Sequence, residues 1–387
     1  MSAMELYSMP GAGKYGGEMR LLIALLVMFA VYSLQLSLYR KYWDRGLNVK
    51  LQFSKDVVSF GDKVELIEVI ENDKPLALPI LNVKFATSRS FIFEEEDNSN
   101  VSDRYYRNDI FSMLGYQRLE RRLSFETTGR GVFRINELQV SSKDLFLKHR
   151  FAHITENDTS LTVLPKRIQP ENYAEVNNLM MGDFEVNRWD NEDPFAFRGI
   201  RPYQSFDTMG SINWKATARM GEMMVNQYQA TTESEVRIYL NIKPYMKSQA
   251  DLLAEHSISI VSTIAAEYIS HGIKVAFFTN GFDIDSEDSI NPVLTAGAGK
   301  QHLKLLDIML ARIDISKPAS DMMEILNNGF NDTDKNVTRI IVSTYRDDAL
   351  YDFFSEQSMK KTVYWIIPER YGDPSALKYP GMYIWNL

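Results

Sequence analysis

One uncharged run, LLIALLVMFAVYSLQLSL from Leu21 to Leu38, constrains this chain more than any other feature. Only Ser33, Gln35 and Ser37 in it are plainly polar. A helix of about 18 residues rises about 27 Å, just enough for a hydrocarbon core of about 30 Å, with Tyr32, Tyr39, Tyr42 and Trp43 suited to the interfaces. A cleaved leader would show small residues after its apolar core. Here bulky and basic YRKYW follows instead, so the segment reads as a membrane anchor over residues 21–39 rather than a signal peptide or a buried core helix. Arg40, Lys41, Arg45, Lys50 and Lys55 follow the run, against Lys14 and Arg20 before it. That bias predicts a single-pass protein of a bacterial cell membrane with its soluble body in the cytoplasm. Residues 1–20 are predicted to form a short exposed tail.

The body that follows is long enough, within a chain of 387 residues, to bury more than one core. A net charge of -8 argues against nucleic acid as a partner, because phosphate binding depends on clustered Lys and Arg. The chain has no cysteine, which removes disulfides, thiolate metal sites and thiol nucleophiles together.

Residues 47–165 carry short alternating runs, LNVKLQF, KVELIEVI, LNVKFAT, QRLERRLSFETT, VFRINELQV and SLTVLP, separated by the turn signals GD, NDKP and TGRG. Alternation at period two means half-buried strands, and the reading is a small antiparallel, Ig-like β-sandwich. The polar stretch at residues 94–109 reads as a solvated loop, with Arg104, Tyr105, Tyr106 and Arg107 as a weaker candidate patch. His149 and His153 stand four apart near a strand end, where chance explains the spacing better than a metal does.

From Val236 the period changes. RIYLNI, KVAFFTNG, TRIIVST and TVYWIIP are apolar strands, and helical patterns lie between them, which predicts a parallel sheet covered on both faces over residues 236–387. Ligands in such folds sit at the carboxyl ends of the strands, here Asn241, Thr279, Asn280, Ser343 and Thr344.

Residues 166–235 read as a linker. Generic packing does not explain its DPFAFRGIRPYQSFDTMGSINWKATARMGEMMVNQYQ segment. Arg201, Tyr203, Asp207, Ile212, Asn213, Trp214, Lys215, Thr217, Ala218, Arg219, Val225 and Gln227 fit an Arg-x-Tyr, acidic turn, Ile-x-Trp-Lys-x-x-Ala-Arg pattern. On these residues the chain resembles the domain-of-unknown-function 58 family. TGRGVFRIN at 128–136, KDLFL at 143–147, LTVLPKRI at 161–168 and ENDKPLALP at 71–79 extend the resemblance upstream. It departs from the family at two places: Asp-Pro-Phe-Gly is replaced by Lys-Asp-Leu-Phe, and the paired acids survive only at Asp207. Read by their chemistry alone, Arg201, Asp207, Lys215 and Arg219 beside Tyr203 and Trp214 either lock two domains together, the plainer reading, or face a partner.

The resemblance implies a von Willebrand A-like fold, in which a divalent ion sits on Asp-x-Ser-x-Ser after the first strand. The matching positions are Asn241, Lys243 and Tyr245, a degenerate set with neither serine and an amide for the acid. At about 4 Å a like unit charge costs on the order of 4 kcal/mol at an effective dielectric of 20, so Lys243 opposes a cation. No bound metal is expected, and Asp347 and Asp348 read as helix caps.

Catalytic signatures are missing: no HExxH, GxSxG or GxGxxG follows a strand, and the two GAGK segments lack the first glycine of a phosphate loop. No cofactor motif stands out. The expectation is a non-enzymatic membrane scaffold, whose partner the resemblance implies to be a MoxR-type AAA+ ATPase. The alternative is a hydrolase or transferase with a polar site around Asp207, Lys215 and Arg219.

Overall fold

Helix α1, Lys14–Tyr42, continues through the whole apolar run and begins before it, so residues 14–20 are helical rather than tail. The structure, a computed structural model, describes residues 14–94, 99–101, 105–168, 178, 181, 192–204, 207–230, 235–244, 250–286, 290–331, 337–369 and 379–386. Over Met19–Tyr42, where neither Gly nor Pro interrupts the backbone, α1 is long and apolar enough to cross a membrane, with a mean hydropathy of 2.3. Most of its large apolar side chains face outward, as Leu26, Phe29 and Leu34 do. Gln35, Tyr39 and Trp43, one turn apart on a single stripe, are buried instead.

The chain divides into two compact units, residues 1–129 with 133–161, and residues 130–132 with 162–387. The first is a β-sandwich. One sheet joins β1 (Leu47–Phe53), β3 (Lys63–Asn72), β8 (Gln117–Thr127) and β5 (Phe91–Phe93) in that order. The other runs β2 (Val57–Val58), β10 (Arg150–Val163), β9 (Gly131–Lys143), β4 (Leu78–Thr87), β7 (Tyr105–Met113) and β6 (Ser99–Val101). Alternate residues of β3, from Val64 to Ile70, point into the core, as period two requires. Phe91 fixes the contact between sheets, 4.5 Å from Phe125 and 4.8 Å from Phe133 between ring centres.

The stretch 94–109, expected as a solvated loop, is largely strand: β6 and β7 occupy its described part, while Arg104 lies outside the described residues. Arg107 is not a surface binder. Its guanidinium is buried, donating from Nε to Asp109 at 3.0 and 3.2 Å, and Arg121 Nη1 reaches the same carboxylate at 3.0 Å. Charged residues on the inward positions of β7 disguise its alternation. Glu68, also buried, completes the cluster. Burial, then the negative Asp109, push its carboxyl up to about 8, against the lowering effects of Arg121 and Arg107. Neither Glu68 oxygen accepts a hydrogen bond, consistent with a carboxyl that keeps its proton and turns it to Asp109.

The second unit is a three-layer α/β body. Its six-stranded sheet has the order β16 (Val293–Gly297), β14 (Lys274–Thr279), β13 (Glu235–Asn241), β18 (Val337–Ser343), β19 (Val363–Glu369), β20 (Met382–Asn386). All neighbours are parallel except the β14–β16 edge pair. Ile238 and Leu240 of β13 pack with α3 (Ala250–Ser270) and α4 (Lys300–Arg312) through Ile258, Val261, Leu306 and Leu310. Tyr239, between them, faces α5 (Met322–Phe330) and α6 (Asp348–Ser358) through Leu326, Phe330 and Phe354. Burial on both faces explains why these strands read as unbroken apolar runs. Asp347 caps α6, accepting from the Leu350 backbone at 2.9 Å.

Arg130–Val132, at the β8–β9 turn, belongs with this unit. The Arg130 side chain is 4% exposed and forks onto Glu255 of α3 at 2.7 and 2.8 Å. Its Nη1 donates to the carbonyls of Leu310, Ala311 and Ile313 at 2.8, 3.2 and 3.0 Å, where α4 ends. A cation on those carbonyls, of which that of Leu310 also accepts from the Ile313 N–H, satisfies the negative end of the helix.

Candidate functional site

The signature segment is folded, not a bare linker. Strands β11 (Glu192–Pro202) and β12 (Met224–Ala230) pair antiparallel, Arg201 opposite Val225, and helix α2 (Trp214–Met220) lies between them. Asn213 is the reason α2 starts where it does: its side chain accepts from the Ala216 backbone at 2.9 Å and donates to Asn226 at 2.6 Å. Gly221, with φ of 77°, ends the helix in the left-handed conformation, its N–H bonded to the Thr217 carbonyl. The Thr217 hydroxyl in turn accepts from the Met224 backbone at 3.0 Å.

The six signature residues divide into two groups. Arg201 grips both oxygens of Asp207 at 2.5 and 2.6 Å, while the Gln204 backbone donates to the same carboxylate at 2.8 Å. The guanidinium holds the Asp207 carboxyl below its usual range, making it an anchor of the turn. Tyr203 is half-buried, its backbone donating to the Met223 carbonyl at 2.8 Å. Trp214, Lys215 and Arg219, by contrast, are exposed on α2, with Lys215 and Arg219 one turn apart. Trp214 is 67% exposed, and Met209, Met220 and Met223 in the same segment also face outward. The set therefore builds a braced turn beside a protruding aromatic and basic face, not one convergent polar pocket.

A second arrangement sits at the carboxyl ends of the parallel strands, where the order of the sheet reverses and such folds place their ligands. Asn241, at the end of β13, is fully buried. Its Oδ1 accepts from Asn280 Nδ2 at 2.7 Å and from the Lys243 backbone at 3.0 Å, while its Nδ2 donates to Ser343 Oγ at 3.0 Å. Asn280 Oδ1 accepts from the Ile242 backbone at 2.9 Å, and its Nδ2 also reaches the Ser320 carbonyl at 3.2 Å. The Ser343 hydroxyl passes on to the Tyr345 carbonyl at 2.9 Å. Lys243 Nζ lies 3.9 Å from the centre of the Tyr345 ring, a cation–π contact. Tyr245 lies outside the described residues.

This is a neutral amide and hydroxyl network whose donors and acceptors satisfy one another. It contains no carboxylate, and Lys243, whose backbone bonds to Asn241, brings an ammonium group against Tyr345, so the network does not suit a hard divalent ion. Among the described residues no group of three or more His, Asp or Glu side chains is placed to hold a metal. His149 and His153, in the first unit, part company. His149 turns to Asp144, and the ring of His153 rests 5.1 Å from that of Trp43.

The sequence named Asn241, Asn280 and Ser343 separately as strand ends, but not their mutual bonding, because the three are 39 to 102 positions apart. It offered Arg130 only as part of the TGRGVFRIN element, without its partners, which lie 125 to 183 positions away.

Residues 199–365 match the family described as Protein of unknown function DUF58. No curated protein matches the chain. Among solved structures, a non-cellulosomal cohesin from the hyperthermophilic archaeon Archaeoglobus fulgidus is 12% identical, covering 30% of this chain and 91% of that one at a TM-score of 0.21. The collagen binding subdomain of the Enterococcus faecalis surface protein ACE is 9% identical, covering 30% and 96%, at 0.21. MyfA, the major subunit of Myf fimbriae from Yersinia enterocolitica, is 10% identical, covering 30% and 98%, at 0.20. Likenesses at these scores carry no argument.

Proposed function

Proceeding from residues 199–365, which belong to the DUF58 family of proteins of unknown function, we propose that this protein is a membrane-anchored, non-enzymatic scaffold. Its α2 face meets a protein partner, a MoxR-type AAA+ ATPase. The observation that supports this most is the exposure of Trp214 beside Lys215 and Arg219 on a helix braced at both ends. Trp and Arg supply most interface hot spots, Met adapts to varied surfaces, and a preformed face lowers the ordering cost of binding. The partner's complementary surface is an apolar pocket with an acidic rim. Asp207 favours the same reading over a catalytic one, since a carboxyl held low by Arg201 is a poor proton acceptor near neutral pH.

In this reading α1 is a single span, with the body on the cytoplasmic side that the basic residues after it prefer. The α/β unit is a von Willebrand A-like domain that works without an ion, the Asn241, Asn280 and Ser343 network standing where the ion would coordinate. Millimolar Mg is therefore expected to leave the thermal unfolding profile of the full chain unchanged. An ion at a hundred times its Kd would add about 2.7 kcal/mol, and a shift of that size would overturn the metal-free reading.

Affinity capture from solubilised native membranes tests the partner. Wild type is expected to recover an AAA+ ATPase, and Trp214→Ala with Arg219→Ala to lose at least about tenfold of it, given hot-spot losses of 1–2 kcal/mol each. Because both side chains are exposed, circular dichroism should show the variant folded like wild type. Equal recovery by the two proteins would remove this face from the partner site, and recovery of no ATPase by wild type would sink the named partner.

A further inference from the structure

We propose that the β9–β10 turn, Leu145–Leu147, is a second membrane contact, inserted into the bilayer beside α1; this rests on the reading of α1 as a span. The turn exposes three consecutive apolar side chains, Leu145 at 55%, Phe146 at 59% and Leu147 at 47%. It holds them out deliberately. The buried Asp144 carboxylate accepts from the Lys148 and His149 backbones at 2.7 and 3.0 Å, and the Leu147 N–H donates to the Asp144 carbonyl at 2.9 Å. Leu147 sits at φ of 58°, a left-handed conformation that L-residues rarely adopt.

The turn is fastened to α1 at the level of the membrane. Gln35 Nε2 donates to Asp144 at 3.2 Å, and the Phe146 ring lies 5.6 Å from that of Tyr32. Lys148 Nζ hangs 5.7 Å over the Tyr32 ring, a stem suited to reach back to the interface. Length then decides the depth. The run Leu21–Leu38 only just spans a hydrocarbon core of about 30 Å. Were everything from Tyr32 onward outside the bilayer, Leu21–Val31 would cover only about 16 Å, roughly half of what crossing needs. The residues that touch Tyr32 must therefore sit at its level in the bilayer: Phe146 supplies the apolar contact, and Lys148 and His149, which also reach Tyr32, put that level at the headgroup boundary.

A second turn stands at the same end of the sandwich. Leu78, at the start of β4, pairs with Met113, and Ile80 with Lys143, so the β7–β8 and β9–β10 turns flank one strand end. The Tyr39 hydroxyl of α1 donates to Ala77 there. The β7–β8 turn exposes Leu114 at 68% and Tyr116 at 73%, and Tyr116 has φ of 57°. Among the described residues, the two non-glycine positions in the left-handed region are thus exposed apolar residues at this end. Apolar turns beside basic side chains are how monotopic surfaces enter the headgroup boundary.

The absence of cysteine allows single labels. The full chain, reconstituted in phosphatidylcholine and phosphatidylglycerol vesicles, would carry an environment-sensitive fluorophore at Phe29→Cys, Phe146→Cys or Ile92→Cys. Ile92 is an equally exposed apolar residue, at 56%, on a strand paired with the far end of β8. Quenching by nitroxide lipids is expected at residues 29 and 146, at least about threefold stronger than at 92, with aqueous iodide giving the reverse order. If 29 is quenched by lipid while 146 behaves like 92, the turn does not insert although the span stands. If 146 is shielded from iodide but not quenched by lipid, a protein covers it and the proposal fails. If 29 itself escapes lipid quenching, the anchor reading falls and this inference falls with it.

Discussion

Replacing Arg130 by Ala is expected to speed hydrogen exchange at the C-terminal end of α4 by more than a hundredfold, a loss of about 3 kcal/mol. The side chain is 4% exposed and forms five hydrogen bonds, two to Glu255 and three to the last carbonyls of α4. Removing the guanidinium takes a donor from all three carbonyls, leaves that of Leu310 with the Ile313 N–H, and leaves Glu255 without its partner. Glu255 is 38% exposed and can turn to water, which keeps the cost below that of a fully buried broken pair. Arg130→Lys should recover only part of the protection, because a point charge cannot fork onto a carboxylate and three carbonyls at once. The readout is local exchange rather than a single melting temperature, since a chain of two units need not unfold in one step. Unchanged exchange in residues 306–312 of the Ala variant would show that the contact contributes nothing.

Glu68→Gln should stabilise the sandwich strongly at pH 8 and little at pH 4. The carboxyl is buried among Arg107, Asp109 and Arg121, and it titrates near 8 instead of near 4.5. Below 4.5 both folded and unfolded chains hold the proton, and the folded state bears no titration cost. Between 4.5 and 8 the unfolded chain ionises while the folded chain keeps its proton, so wild-type stability falls as pH rises. At 1.36 kcal/mol per pH unit the full loss is about 5 kcal/mol, complete above pH 8. Gln has no proton to lose, keeps the shape, and can still donate to Asp109. Denaturant unfolding followed at the sandwich, at the two pH values, measures the gap between variant and wild type. A gap that does not widen with pH would show that Glu68 is ionised in the folded protein.

Both effects arise where local patterning fails. Arg107 and Asp109 occupy inward positions of β7, so the alternation that marks β3 as a half-buried strand reads there as a polar loop. A charge is tolerated inside only because its partner is present. That partner, Arg121, stands on the facing sheet and is not visible in a window of ten residues. The hairpin around α2 shows a different limit. Its Trp-Lys-x-x-Ala-Arg pattern is legible as a signature, but nothing in it distinguishes a residue consumed in packing, as Arg201 and Asp207 are, from one left outside, as Trp214 is.

What the sequence determined by itself is what depends on neighbours along the chain. The uncharged run determined a helix over residues 21–39, period two determined the sandwich strands outside the misread stretch 94–109, and apolar runs between helical patterns determined the sheet that β13, β14, β18 and β19 form. Asp347 belongs to the same class, since a cap and the N–H it serves are three residues apart. The tertiary structure decided which polar groups meet: Arg130 with Glu255 at a separation of 125 residues, Asn241 with Ser343 at 102, Gln35 with Asp144 at 109. Periodicity reports which face of an element is buried, because burial repeats with the geometry of the backbone. It carries no information about what the buried face touches, and the chemistry of each site here lies in those contacts.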